Sequence, residues 1–123
     1  MIQVTDEQFQ VLINHALESL PGAHVRNIQN VAILYEHEPT QEQRKKLELR
    51  DDQTLFGLYE GLPLSQRQGM GRLFPDKITI FKGPMERACS SMLELREQIR
   101  HTLWHEIGHY YGLDHKRISE LEK

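Results

Sequence analysis

The first periodic run of apolar positions is Phe9, Leu12, Ile13, Ala16, Leu17 and Leu20, spaced three and four apart as on one face of a helix. Thr5 precedes it, followed by Asp6, Glu7 and Gln8, the pattern of a capping box with acids in the first turn, and Pro21-Gly22 ends it. The run Val31-Ala32-Ile33-Leu34-Tyr35 is too short for a core helix and predicts a buried strand. Residues 36–52 are polar and crowded with charge. Thr40-x-x-Gln43 can cap a short surface helix through Leu47, and a loop fits the same stretch equally well. Leu55-Phe56-Gly57-Leu58-Tyr59 predicts a second strand stopping at Gly61 and Pro63, followed by a polar, glycine-punctuated loop from Ser65 to Arg72. Lys77-Ile78-Thr79-Ile80-Phe81-Lys82 alternates polar and apolar, as in a half-exposed edge strand guarded by lysines, and Gly83-Pro84 closes it.

From Met85 to Tyr111 helix formers dominate with no proline, which predicts one long helix. Leu95, Ile99, Leu103 and Ile107 recur every fourth residue, and His101, His105 and His109 recur at the same spacing two residues out of step. Two residues are about 200° around a helix, so the histidines lie roughly opposite the aliphatic stripe: one face packs into a core and the other looks into a cleft. The expected architecture is α+β, a small mixed three-stranded sheet packed against a long helix and an N-terminal helix, in a single domain over residues 1–123.

Composition adds little to this picture. Apolar residues make up 38% and charged residues 27% of the 123, with a net charge of −3 that gives no electrostatic case for nucleic acid or an anionic membrane. Cys89 is the only cysteine, which excludes an internal disulfide and a cysteine-rich zinc module. The N-terminus lacks the features of a signal peptide and no apolar run reaches membrane-spanning length, so the expected location is cytoplasmic.

The chemistry concentrates in 105-HEIGHYYGLDH-115. Residues four apart on a helix share a face, so the imidazoles of His105 and His109 can converge on one metal ion as two of the three protein ligands of a catalytic zinc. Glu106 points to the side of that stripe, where it can reach a metal-bound water and serve as general base. His115 cannot ligate from a continuous helix, because ten residues at about 1.5 Å each put it roughly 15 Å from His105. The helix must break and turn back, and Gly112, three residues after His109, can take a positive φ to do so. The glycine and the third histidine explain each other, whereas surface histidines on an ordinary amphipathic helix would require neither.

This HExxHxxGxxH pattern resembles the metzincin signature of the zincin group, which implies zinc ligands His105, His109 and His115, base Glu106 and turn glycine Gly112. The stretches LFGLYEGLPL and LFPDKITIFKGPME ahead of HEIGHYYGLDH look more like the minimal zincins, small bacterial metallopeptidase-like proteins. That resemblance covers roughly residues 28–121 and implies a three-stranded sheet against the active-site helix. Many minimal zincins carry an acidic residue at the position of His115. All four methionines lie upstream of the motif, so no metzincin Met-turn follows it. Eight residues after His115 are too few for the lower wall of a cleft, so the expectation is zinc-dependent peptide hydrolysis of weak or narrow specificity. The substrate is a peptide or protein, with room for a partner protein that completes the cleft.

The remaining candidates carry less. His101 reads as lining the cleft mouth, Tyr110, Tyr111 and Trp104 as packing residues, and Cys89 as a buried small hydrophobe. Asp114 can orient a ligand histidine or cap a terminal helix. Tyr59, Glu60 and Arg72 are candidates for the substrate side, and the 77–82 strand for strand addition by a peptide. His15, His24 and His37 read as surface. Two other functions compete. The GLDH ending also resembles rRNA-maturation metal hydrolases with an H-G-x-x-H-x-x-G-x-D-H motif, metal-dependent endoribonucleases that lack the glutamate present here as Glu106. The other is a non-enzymatic zinc-stabilised binding module, although structural zinc sites keep no open position and usually favour cysteine.

Overall fold

A computed structural model describes residues 1–22, 31–61 and 76–112. Helix α1 (Asp6–Ser19) begins at the expected capping box: Thr5 Oγ1 accepts from the Gln8 N–H, and the Gln8 side chain accepts from the Thr5 N–H. It stops one residue before Leu20, which is extended as residues preceding proline tend to be. Strand β1 (Val31–Glu36) is followed by the short helix α2 (Gln41–Lys46), capped by a second box at Thr40 and Gln43. Strands β2 (Gly57–Glu60) and β3 (Asp76–Phe81) come next, then helix α3 (Lys82–Ala88) and the long helix α4 (Met92–Tyr110).

The sheet is three-stranded and mixed, in the order β1-β3-β2. β1 runs parallel to β3, with Ile33 opposite Ile78, and β2 antiparallel, with Leu58 opposite Thr79. Among the described residues β3 is therefore the central strand. This corrects the expectation of an edge strand over 77–82: Ile78, Thr79, Ile80 and Phe81 are all buried, and the polar alternation came from residues with partners. Lys77 pairs with Glu60 at 3.7 Å. Lys82 lies just beyond the strand with its side chain only 7% exposed, between Asp6 at 3.5 Å and Glu86 at 3.4 Å. A central strand whose neighbours occupy both sides has no edge to offer a peptide. β1, expected to be buried, is half-buried at the other edge, and Leu34 is exposed.

The single helix expected over 85–111 is two helices. The break falls at Cys89, Ser90 and Ser91. Ser91 Oγ accepts from the Glu94 N–H, and the Glu94 carboxylate accepts from the Ser90 N–H, so a local cap starts α4. α4 packs against α1, β2 and β3. Its stripe of Leu95, Ile99, Leu103 and Ile107 is at most 1% exposed and meets Phe9 and Ile13 of α1 and Ile78 and Ile80 of β3 in one core. Trp104, Tyr110 and Cys89 are buried too, as expected.

Candidate metal and active site

The aliphatic stripe fixes α4 rotationally, and the histidines follow on its other side. His101 is exposed, and His105 and His109 are half-buried. The three rings form a series: His101 stacks against His105 at 6.4 Å between centroids, and His105 meets His109 edge-on at 4.7 Å. The Nε2 atoms of His105 and His109 are 3.1 Å apart. Two nitrogens bound to one tetrahedral zinc at about 2.0–2.1 Å sit about 3.3 Å from each other, so the pair already has the spacing of two ligands on one ion. One nitrogen from each ring and one carboxylate oxygen of Glu106 lie within 4.8 Å of one another. Two imidazoles at this spacing, with a carboxylate beside them, fit zinc.

Glu106 itself is only 8% exposed. Its Oε1 accepts a hydrogen bond of 2.8 Å from the Tyr59 N–H of β2. Burial pushes its carboxyl up to about 7, and the hydrogen bond from Tyr59 pulls the other way. A dication held beside it favours the ionised form. The carboxylate is thus drawn against the sheet by one oxygen.

The end of the helix also has the expected geometry. Tyr111 caps α4, its N–H donating to carbonyls of the last turn, and the Gly112 N–H donates to the His109 carbonyl at 2.9 Å. Gly112 takes φ +82°, the left-handed conformation that turns the chain off the helix axis. His115, together with Leu113 and Asp114, lies outside the described residues, as do His24 and Arg72. The structure therefore brings together His105, Glu106 and His109.

Tyr59 is tied down at both ends of its residue. Besides the main-chain bond to Glu106, its hydroxyl donates to Asp76 Oδ2 at 2.6 Å and its ring meets Tyr110 edge-on at 6.3 Å. Glu60, one residue on, faces Lys77 and the Gln43 amide. Asp76, 4% exposed, was not singled out from the sequence; an acid two residues ahead of the β-branched run Ile78-Thr79-Ile80 was the available signal. His15 and His37 are at the surface as expected.

No helix among the described residues is long and apolar enough to cross a membrane. Among curated proteins, none matches this chain. A conserved hypothetical protein from Thermus thermophilus has a similar fold, with a TM-score of 0.57 and 18% sequence identity over 88% of this chain and 94% of the other. The overall fold thus has a solved counterpart. The family model of the zincin-like metallopeptidases matches residues 28–123, from ahead of β1 through the histidine helix and beyond it. By that match the chain belongs to the zincin-like metallopeptidase family.

Proposed function

We propose that this protein hydrolyses peptide bonds with zinc held by His105, His109 and His115 and with Glu106 as the general base. The observation that carries the reading is the convergence of two imidazoles and a buried carboxylate on one end of α4, in a chain of a metallopeptidase family. Zinc in such a site supplies a Lewis acid that acidifies water and polarises a carbonyl. Glu106 then takes the proton of the attacking water and returns it to the leaving amine. Having Oε1 engaged by Tyr59 leaves Oε2 for that proton. The burial of Glu106 beside the two imidazoles supports this reading over that of a binding module, which has no use for an ionisable base there.

The test is metal analysis coupled to a peptide-library cleavage screen on wild type and Glu106→Gln. The variant retains zinc and loses turnover by a factor of roughly 100 or more, the scale of general-base catalysis. Cleavage by Glu106→Gln at the wild-type rate would overturn the assignment.

A further inference from the structure

The alternation of an antiparallel ladder decides which way each β2 amide faces. The Phe81 N–H donates to the Phe56 carbonyl at 2.9 Å, and the register runs Gly57 to Ile80, Leu58 to Thr79, Tyr59 to Ile78 and Glu60 to Lys77. Hydrogen-bonded pairs alternate with non-bonded ones, so Leu58 and Glu60 turn their amides to β3 while Gly57 and Tyr59 turn theirs away from it. The outward Tyr59 amide is the one that meets Glu106. Two features bring it there. Residue 57 has no side chain: a Cβ would lie 2.5 Å from Thr102 Cγ2 of α4, a buried methyl, and 3.3 Å from the Thr79 carbonyl. The strand therefore approaches the helix at the level needed. The Tyr59 phenol is then anchored on the buried Asp76 carboxylate at the head of β3, and its ring on Tyr110 of α4.

We infer that Tyr59 and Asp76 are positioning residues that hold the Glu106 carboxylate in place: Asp76 fixes the Tyr59 phenol, and the Tyr59 amide fixes Oε1 of Glu106. The inference rests on the reading of Glu106 as base. The tyrosine side chain acts through the residue it belongs to, because rotation or slip of the strand at position 59 would carry the amide off the carboxylate. Gly57 is the clearance that lets the device close.

The experiment is amide hydrogen exchange on the metal-free protein, paired with steady-state kinetics on the zinc-loaded protein, for wild type, Tyr59→Phe, Asp76→Asn, Glu106→Ala and Glu106→Gln. Glu106→Ala removes the acceptor and speeds exchange at the residue-59 amide by about fivefold to tenfold, the equivalent of one net hydrogen bond. The Leu58 and Glu60 amides, which face β3, stay as protected as before. Glu106→Gln, which keeps a carbonyl oxygen, restores most of the protection. Tyr59→Phe and Asp76→Asn raise exchange at residue 59 severalfold and lower kcat by about tenfold, with KM and zinc content little changed. Unaltered exchange at residue 59 in folded Glu106→Ala, Tyr59→Phe and Asp76→Asn would overturn the inference, as would a loss confined to KM. A wild type that cleaves no peptide would count against the base reading, and the exchange data would still decide whether the carboxylate is held by β2.

Discussion

Gly112 is the residue at which α4 ends and, under the proposed function, the chain turns toward a third ligand. At φ +82° an L residue with a Cβ is strained, by roughly 1–2 kcal/mol. Gly112→Ala is expected to destabilise the protein by about that amount, read by thermal unfolding. Under the proposed three-histidine ligation it is also expected to weaken zinc binding further than the lost stability accounts for. The same residue shows what the sequence reveals at this scale. A glycine just past the last turn of a patterned helix is a helix-ending signal, so its positive φ was legible in advance. The anchoring of Glu106 was not. Its partner is a main-chain N–H from a strand 47 residues away in sequence, and main-chain donors leave no trace in residue identity.

At the scale of elements, three S/T-x-x-E/Q patterns mark helix starts: Thr5 with Gln8, Thr40 with Gln43, and Ser91 with Glu94. The first identified its helix, and the second, where helix and loop fitted the sequence equally well, proved to be a helix start too. The third lay inside a stretch rich in helix formers and free of proline, and there the local cap overrode continuity. Ser91→Ala should therefore cost about 1 kcal/mol, a fall in Tm of roughly 4 °C for a domain near this size, measured by calorimetry. The strand error has a different cause. Alternation says which residues face which way, but it does not say which strands lie on either side, and Lys77 and Lys82 found acidic partners.

Glu38 and Arg87 link the segment after β1 to α3 through two hydrogen bonds of 2.8 Å. The Arg87 hydrogen bonds hold the Glu38 carboxyl below its ordinary value of 4.5. Its contribution is thus complete above that value and disappears as pH falls through the lower folded-state value. Both side chains are more than half exposed, which limits the pair to about 0.2–1 kcal/mol. Glu38→Gln should lower Tm slightly at neutral pH, and the difference from wild type should vanish in strong acid.

For the whole molecule, sheet, core and site share one helix. The face of α4 that completes the core with α1 and β3 sets the rotation of the face that carries His105 and His109. Period alone made that legible, and it placed the site before any distance was known. The order β1-β3-β2 was not legible, because short strands of similar composition carry no record of their neighbours. If the ligands converge only in the folded chain, zinc binding is folding free energy. Zinc at a hundredfold excess over its Kd should then stabilise the protein by about 2.7 kcal/mol, seen as a rise in Tm that a chelator reverses.

The central claim is a division of labour within one motif, in which histidines hold the metal and the glutamate does not. Zinc dissociation constants, measured by competition with a chromogenic chelator for wild type, His115→Ala and Glu106→Gln, test it most directly. Three-histidine ligation predicts that His115→Ala loses at least about two orders of magnitude in affinity, roughly one ligand's worth on the scale of a zinc site worth 10–16 kcal/mol in all. Glu106→Gln should bind zinc as tightly as wild type. Wild-type affinity in His115→Ala, or a large loss in Glu106→Gln, would contradict the account.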